Sequence, residues 1–295
     1  MERSKLSVED FAIGRKLGEG RFGTVFLCEM VKSNFVCAIK VVKKELLQEN
    51  ADHMLQTKRE IELHRHMKHT NILRWFAYFY DHHKVYMVLE YAALGNLLKY
   101  TQSLENPMPE AQCAHVADSI AAALDYCHFR QVCHRDVKTV NILVAEGFGI
   151  KLADFGTAVH VPSSRMKTVF GTLDYLAPEM VDAETGPAYT VKVDNWSLGV
   201  VLYEILTLEL PFYRESKCDT ADAIRNCDMN TPKRELSADM LRIIKSLLTT
   251  DANDRLDLKD LQSDAWLTSQ VATFAETLPP PPTATHRENP FLESM

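Results

Sequence analysis

The residue pattern of the chain changes near Gly95, and this change constrains the fold more than any other feature. Before Gly95, short runs rich in β-branched and aromatic residues alternate with polar breaks, which predicts a small sheet. One helix interrupts it at about residues 51–67, where Met54, Ile61 and Leu63 stand among charged residues. After Gly95 long helical runs follow, including "AQCAHVADSIAAALDYCHF" and "WSLGVVLYEILTL". The pattern predicts an α+β chain with a small β-rich lobe and a larger, mainly α-helical lobe.

A length of 295 residues suits such a two-lobed organisation. We expect a short N-terminal segment at 1–10, the small lobe and a hinge at 11–92, the large lobe at 93–270, and a tail at 271–295. Beyond Trp266 the apolar periodicity fades, and the proline run in "LPPPPTATHRENP" cannot continue a helix. The tail is therefore predicted to be disordered.

Composition excludes several classes of protein. The net charge of −7 argues against a chain built to coat nucleic acid, and seven cysteines without a CxxC pair argue against a disulfide framework or a zinc ribbon. The N-terminus has no apolar signal region, and no apolar run reaches the roughly 18 residues of a membrane span. We expect an intracellular protein without a membrane segment. His64, His66 and His69 suggest a metal site, but the end of a basic helix explains them more simply.

The stretch "LGEGRFGTV" places Gly18, Gly20 and Gly23 in GxGxxG spacing, where backbone amides can approach an anion closely. A dinucleotide-binding fold needs a helix directly after these glycines, whereas "TVFLCEM" reads as a strand. The glycines are therefore expected at a hairpin tip. Taken alone, the three glycines are explained better by an ordinary turn.

Lys40 in "CAIKVV" is a single cation between apolar neighbours in a predicted strand. If it faces a cleft, it can bind phosphate oxygens, and it needs an anion to hold it. Glu60 in the following helix is the natural candidate. The alternative is that Glu60 lies on a solvated helix face, since Glu62 is close by in "KREIE".

Two further segments carry the polar groups that phosphoryl transfer requires. "HRDVKTVN" supplies Asp136, Lys138 and Asn141, and "KLADFGTA" supplies Asp154. The reaction needs Mg²⁺ to neutralise charge, oxygens held in line, and a carboxylate near the attacking hydroxyl. Asp154 and Asn141 are predicted to bind the metal, Lys138 the transferring phosphate, and Asp136 the proton of the hydroxyl.

The motifs GxGxxG, AIK, HRD with Asn141, DFG and APE appear in the order of the eukaryotic protein kinases, which the chain resembles over roughly residues 11–270. The segment "DFGTAVHVPSSRMKTVFGTLDYLAPEM" resembles the Aurora kinases in particular. The resemblance implies the bilobal kinase fold and a Ser/Thr protein kinase that uses ATP and Mg²⁺. It also implies that Arg255 pairs with Glu179 and that Asp194 supports the catalytic loop.

The resemblance further implies an adenine site. Leu89 would stand at its back, Glu90 and Ala92 would belong to the hinge whose backbone meets the base, and Thr172 in the substrate loop would reach toward Asp136 and Lys138. The apolar residues expected around the base are Leu17, Val25, Ala38 and Leu143. Thr168 aligns with the activating phosphosite of the family, and a phosphate there could pair with Arg135.

The chain departs from the Aurora pattern at four positions. Thr139 and Val140 replace a Pro-Glu pair, and that glutamate helps to bind a substrate arginine in kinases that select one. Thr157 stands where Aurora kinases carry a tryptophan, and Lys167 replaces a threonine next to Thr168. We expect catalysis to survive and arginine selectivity to be lost.

Two alternatives stay open. A nucleotide-binding pseudokinase-like scaffold would usually lack the lysine or one of the two aspartates, and a small-molecule kinase would lack the APE segment. If the resemblance extends to biology, the setting is mitotic or meiotic, in the cytoplasm or nucleus and at the spindle, centrosome or chromosomes. Protein substrates and an activating partner on the small lobe are then implied, without direct nucleic-acid binding.

Overall fold

The computed structural model describes residues 6–20, 23–49, 51–161, 166, 171–184, 186 and 188–278. The predicted sheet is present as five antiparallel strands in the order β1-β2-β3-β5-β4, and two short two-stranded ladders, β6 with β9 and β7 with β8, lie further along the chain. The strand bounds are β1 Phe11–Gly20, β2 Gly23–Met30, β3 Phe35–Lys43, β4 Trp75–Tyr80, β5 Lys84–Leu89, β6 Val132–Cys133, β7 Ile142–Val144, β8 Ile150–Leu152 and β9 Val159–His160.

Helices dominate the larger lobe, as the sequence predicts. In chain order the helices are α1 Lys44–Glu49, α2 Ala51–Arg59, α3 Leu97–Gln102, α4 Glu110–Phe129, α5 Pro178–Val181, α6 Lys192–Thr207, α7 Lys217–Arg225, α8 Ala238–Leu247, α9 Leu258–Ser263 and α10 Ala265–Ala275. The long helices α4 and α6 pack against each other inside this lobe. The α+β prediction of a β-rich lobe and a mainly α-helical lobe is therefore confirmed.

Strand alternation divides the small lobe into two apolar layers. Cys37 and Ile39 of β3 point to one face and join a cluster with Phe11 and Phe79. Ala38, the residue between them, belongs to a second cluster on the opposite face. Because side chains alternate across a strand, the same β3 segment closes the core of the sheet and lines the cleft below it.

The predicted helix at 51–67 differs from the structure. The α-helical part ends at Arg59, a π-helical turn covers Glu60–His64, and the separate helix α1 precedes it. Met54, which we expected on the buried side, is 37% exposed. The buried side of this region instead includes polar side chains such as Gln56 and Glu60, because it faces the charged groups of the cleft rather than an apolar core.

The end of the large lobe also differs from the prediction. Helix α10 continues to Ala275, five residues beyond the expected boundary at 270, and Phe274 packs against the core of the lobe. The fading apolar pattern was misleading here because α10 is anchored mainly on one side, along α4. The rest of the predicted tail, residues 279–295, lies outside the described residues. Among the described helices, none has the length and apolar character needed to cross a membrane.

The predicted pairing of Arg255 with Glu179 is confirmed. Arg255 is 1% exposed, and its two terminal nitrogens donate to the two carboxylate oxygens of Glu179 at 2.7 and 2.9 Å. Its guanidinium also lies 5.2 Å from the ring of Trp196 in α6. This fork-shaped contact links α5 to the loop between α8 and α9.

Candidate active site

Lys40 lies on the cleft side of β3 and forms a buried ion pair with Glu60. The lysine Nζ is 2.6 Å from Oε1 and 2.7 Å from Oε2 of the carboxylate. Glu62, the alternative partner, is exposed. Strand register fixes the direction of the lysine, since Lys40 stands opposite Val25 in β2 and Met87 in β5, on the same face as Ala38.

Asp154 completes a cluster of charges with this pair. It follows β8 with a positive φ of 64°, and its Oδ1 accepts a hydrogen bond from the Gly156 N–H at 3.3 Å. Burial alone would raise the pKa of Asp154, but Lys40 and the Gly156 N–H outweigh it and lower the pKa. Burial opposes the charged form of Lys40, while Glu60 and Asp154 together raise its pKa. Both groups are therefore held in their ionised forms.

The catalytic-loop residues Asp136, Lys138 and Asn141 meet within hydrogen-bonding distance. The amide nitrogen of Asn141 donates to Oδ2 of Asp136 at 3.0 Å, and the Lys138 ammonium lies 2.8 Å from the same oxygen. Lys138 also donates to Oγ1 of Thr172 at 3.0 Å. The other carboxylate oxygen, Oδ1 of Asp136, is buried and accepts no hydrogen bond from the described residues. One oxygen of the carboxylate is thus held in place, and the other is left without a partner among the described residues.

Gly171 shows why the substrate loop approaches this carboxylate so closely. It has a φ of 110°, and a Cβ at this position would stand 2.9 Å from the Arg135 carbonyl oxygen and 3.6 Å from Oδ1 of Asp136. A side chain here would be strained and would fill the space beside the carboxylate. Glycine therefore keeps that space open.

Asp194 of α6 anchors the catalytic loop from below, as predicted. Its carboxylate accepts hydrogen bonds from the backbone N–H of His134 at 2.9 Å and of Arg135 at 2.8 Å, and contacts the His128 ring at 2.8 Å. Burial favours the neutral acid, but these donors outweigh it and lower the pKa of Asp194. The backbone of HRD is therefore tied to the most buried helix of the molecule.

The predicted adenine-site residues lie in one apolar cluster. Leu17, Val25, Ala38, Leu89 and Leu143 all belong to it. The sequence did not single out Met87, Leu73 and Ala153, which are buried in the same cluster. The alternation of β5 could have indicated Met87, because this residue and Leu89 point to the same face.

The glycine-rich hairpin lies above this cluster, with Gly20 paired to Gly23 across the tip. A Cβ at Gly18 or Gly20 would meet no atom of the described residues within 4 Å, whereas one at Gly23 would stand 2.3 Å from the Val41 carbonyl oxygen. Gly23 is therefore required by the packing of the sheet. Gly18 and Gly20 border open space, which suits the approach of a ligand to their backbone.

The hinge runs from β5 into the large lobe. The Glu90 N–H donates to the Arg74 carbonyl at 2.9 Å, and its carboxylate meets Lys151 at 2.9 Å. The carbonyl of Ala92 accepts from the Gly95 N–H at 3.2 Å. The Glu90 side chain therefore ties the hinge to Lys151 of β8.

Arg135 is buried, and its guanidinium donates to the Thr157 carbonyl and to the Tyr189 hydroxyl. The Thr157 hydroxyl in turn donates to the His134 carbonyl at 3.1 Å. Thr157 thus ties the segment after DFG to the catalytic loop. Thr168, the predicted phosphosite, lies outside the described residues, and so does its predicted pairing with Arg135.

A stack of rings that the sequence analysis missed crosses the cleft. The His64 ring lies 5.4 Å from Trp75 and 4.8 Å from Phe155 of DFG, and Phe155 lies 4.9 Å from His134. His64 Nε2 contacts the Leu73 carbonyl at 2.6 Å, and burial lowers the pKa of His64 to about 4. His64 is thus a neutral packing residue that connects the Glu60 segment to DFG.

Thr139, one of the departures noted above, is buried in a small polar network. Its hydroxyl is 3.2 Å from the Tyr175 hydroxyl, which bonds Oε2 of the buried Glu204 at 2.5 Å. Burial raises the pKa of Glu204. Val140, the next residue, is 39% exposed on the same loop.

The oxygen atoms of Asp154 and Asn141 suit a divalent cation that also binds the phosphates of a substrate. In the described ranges no cluster of three or more His, Cys, Asp or Glu side chains forms a metal site by itself. Mg²⁺ commonly binds one or two carboxylates together with substrate phosphates. Asp154 offers a buried, ionised carboxylate, and Asn141 offers its amide oxygen, because its nitrogen is the atom that bonds Asp136.

Comparison with known proteins agrees with this geometry. A family profile described as "Protein kinase domain" matches residues 11–267. "Aurora kinase" of Patiria pectinifera is 41% identical over 273 residues, covering 92% of this chain and 66% of the relative. "Aurora kinase B-A" of Xenopus laevis is 40% identical over 281 residues, covering 95% and 75% respectively. "Aurora kinase C" of Mus musculus is 38% identical over 266 residues, covering 90% and 94%. The bilobal fold, the cleft and these relatives together show that the chain belongs to the Aurora family of serine/threonine protein kinases, which use ATP and a divalent metal to phosphorylate proteins.

Proposed function

We propose that the chain is an active Aurora-like kinase that transfers the γ-phosphoryl group of ATP to Ser or Thr hydroxyls of protein substrates, with Mg²⁺ as the divalent ion. The observation that supports turnover most is the unpartnered acceptor on Asp136. Its Oδ2 is held by Asn141 and Lys138 while Oδ1 has no described partner, and Thr172 of the substrate loop lies on the same side. A carboxylate so placed suits a substrate hydroxyl.

ATP would be held from three sides. The apolar cluster around Ala38 and Leu89 would enclose adenine, and the hinge backbone would meet its edge. The open backbone at Gly18 and Gly20 and the ammonium of Lys40 would contact the phosphates, with Glu60 keeping Lys40 in place. Each contribution uses a group that already points into the cleft.

Asp154 and Asn141 would hold Mg²⁺. When bound, the ion supplies positive charge that offsets the negative charge of the phosphates. The ammonium of Lys40 lowers the pKa of Asp154 and so keeps that carboxylate ionised and ready for a cation.

In the transfer step, Oδ1 of Asp136 accepts the proton of the substrate hydroxyl as its oxygen bonds the γ-phosphorus. The bond between that phosphorus and the bridging oxygen of ADP breaks, and ADP retains the electron pair. The Lys138 ammonium lies beside the same carboxylate and stabilises the negative charge on the group in transfer. The phosphorylated hydroxyl and ADP are the products.

The test is phosphate incorporation into a broad Ser/Thr peptide library by the purified chain. Asp136→Asn should lower kcat by at least about 100-fold, since general-base catalysis contributes roughly 10²–10⁴-fold. Asp239→Asn, a matched change in α8 at a side chain that is 50% exposed, should leave kcat unchanged. Equal incorporation by the wild type and Asp136→Asn would refute the assigned role. ATP binding without transfer to any peptide would instead favour the pseudokinase-like scaffold.

The biological setting is a further part of the proposal. Membership of the Aurora family supports a mitotic or meiotic role at the spindle, centrosome or chromosomes, with an activating partner on the small lobe. Phosphate on Thr168 would order the activation segment through Arg135. Thr168→Val should then lower kcat toward that of the protein treated with phosphatase, and mass spectrometry should locate the phosphate on Thr168.

A further inference from the structure

The catalytic loop is joined to the substrate loop at two neighbouring points. Lys138 donates from Nζ to Oγ1 of Thr172 at 3.0 Å. The hydroxyl of Thr139, the next residue, lies 3.2 Å from the Tyr175 hydroxyl. The Tyr175 N–H donates to the Thr172 carbonyl at 3.0 Å, which closes the turn between these two contacts. Two adjacent side chains of one loop therefore hold both ends of a single turn of the other.

The contact of Thr139 is not explained by the transfer step, in which Lys138 has its own role. Thr139 is 0% exposed, so its side chain cannot meet ATP or a protein substrate directly. In the Aurora pattern this position is a proline, which has no hydroxyl and could not make a hydrogen bond to Tyr175. The contact is therefore a property of this chain and needs an explanation of its own.

Tyr175 defines the direction of the hydrogen bonds in this network. A phenol has one hydroxyl proton, and Tyr175 donates it to Oε2 of Glu204 at 2.5 Å. The phenol oxygen therefore accepts from Thr139. Burial raises the pKa of Glu204, while the hydrogen bonds of Tyr175 and Thr139 lower it. The threonine hydroxyl is thus a donor that completes a chain of hydrogen bonds ending on a buried carboxyl group.

Both partners of the contact between Thr139 and Tyr175 are anchored to helices. On one side, the Leu98 N–H of α3 donates to the Thr139 carbonyl at 3.3 Å. On the other side, Glu204 of α6 holds the phenol, and the hydroxyl of Ser197 in the same helix donates to the Tyr175 carbonyl at 2.8 Å. Because both groups are anchored, the hydrogen bond between them fixes the substrate loop relative to the catalytic loop.

We propose that Thr139 is a positioning residue for the protein substrate: its hydroxyl, acting through Tyr175, holds the substrate loop in place beside Asp136. The loop passes close to this carboxylate, since a Cβ on Gly171 would stand 3.6 Å from its Oδ1. A peptide bound along the loop can place its hydroxyl at Oδ1 only if the loop keeps this position. The inference rests on the proposed function, because it assigns a residue that positions the substrate of the same reaction.

The first test is hydrogen exchange of the full-length chain without ATP or peptide, read by mass spectrometry on the fragment that covers residues 172–176. Thr139→Val replaces the hydroxyl with a methyl group of similar shape. It should speed the exchange of the Tyr175 and Leu176 amides, which both close turns of the substrate loop, about fivefold, as expected when one neutral hydrogen bond is lost. Thr139→Ser keeps a hydroxyl and should exchange like the wild type.

The second test is peptide phosphorylation by the same proteins. Thr139→Val should lower kcat/KM for the peptide about fivefold and leave the KM for ATP unchanged, and Thr139→Ser should restore the wild-type values. The matched control is Thr101→Val in α3. Thr101 is 2% exposed, and its hydroxyl donates to the Leu97 and Leu98 carbonyls of its own helix at 2.7 and 2.9 Å. This variant also loses a buried hydroxyl, but it should match the wild type in both tests.

The proposal is overturned if Thr139→Val keeps the wild-type exchange or the wild-type kcat/KM for the peptide. It is also overturned if Thr139→Ser behaves like Thr139→Val, which would assign the effect to packing, or if Thr101→Val shows the same changes, which would assign it to general stability. A wild type that transfers phosphate to no peptide would instead refute the proposed function, and with it the substrate role of Thr139, even if exchange showed that the hydroxyl holds the loop.

Discussion

The Lys40 ammonium lies 2.6 and 2.7 Å from the two oxygens of the Glu60 carboxylate, and both side chains are almost fully shielded from solvent. The two residues are 20 positions apart, one on a strand and the other at the start of a π-helical turn. Asp154 adds a second negative charge near the same lysine. Removal of one charge from this cluster therefore leaves the others uncompensated.

Glu60→Gln should destabilise the protein by about 3 kcal/mol and lower kcat/KM, because it leaves the buried Lys40 ammonium without its closest carboxylate. Urea unfolding and peptide phosphorylation measure the two effects. Glu62→Gln, two residues away and exposed, should cost less than about 0.5 kcal/mol. A loss of the same size in both variants would mean that the helical segment, rather than the ion pair, is responsible.

The sequence predicted the charged cluster of Lys40, Glu60 and Asp154 because these residues occur in short, recognisable sequence motifs. Short runs rich in β-branched and aromatic residues, separated by polar breaks, also predicted the strands of the sheet. The spatial meeting of Lys40, Asp136 and Asp154 required the family resemblance. Spacing alone does not reveal which distant loops converge.

Other parts of the site left no signal in the sequence. His64 belongs to a stack with Trp75 and Phe155, which come from three separate segments, so no local pattern contains it. Thr139, Tyr175 and Glu204 also come from three separate segments, so no local pattern contains their polar network. Helix α1 is only six residues long, too short for its periodicity to stand out.

Arg255→Lys should destabilise the protein by about 3 kcal/mol, because an ammonium cannot reproduce the two parallel hydrogen bonds to Glu179 and would be left buried. Chemical denaturation measures the change. The matched control is Arg225→Lys. Arg225 makes similar contacts to Asp182 and Asp222 but its side chain is 39% exposed, so the expected cost is below about 1 kcal/mol.

Val140→Glu should create selectivity for arginine before the phosphorylated residue, which we expect the wild type to lack. Val140 is 39% exposed, so a carboxylate there remains solvated and should not disturb the fold. An arginine-containing peptide should gain roughly 5-fold or more in kcat/KM over its alanine counterpart, the effect of about 1 kcal/mol from a partly solvated ion pair. Val140→Gln is the neutral control. An identical arginine preference in the wild type and Val140→Glu would count against this role.

His64 should make the stability of the protein sensitive to mild acid. Its pKa is about 4 in the folded chain, compared with a reference value of 6.5, so the unfolded chain takes up the proton first as the pH falls. The stabilisation is complete above pH 6.5 and is lost between pH 6.5 and pH 4. Between pH 7 and pH 5 this amounts to about 2 kcal/mol.

His64→Leu removes the titrating ring but keeps an apolar group next to Phe155 and Trp75. The free energy of unfolding, from urea titrations at pH 7 and pH 5, should therefore fall by about 2 kcal/mol less in this variant than in the wild type. His66→Leu, an exposed position on the same segment, should retain the wild-type pH dependence. If all three proteins lost stability equally over this interval, the acid sensitivity would have to arise outside the ring stack.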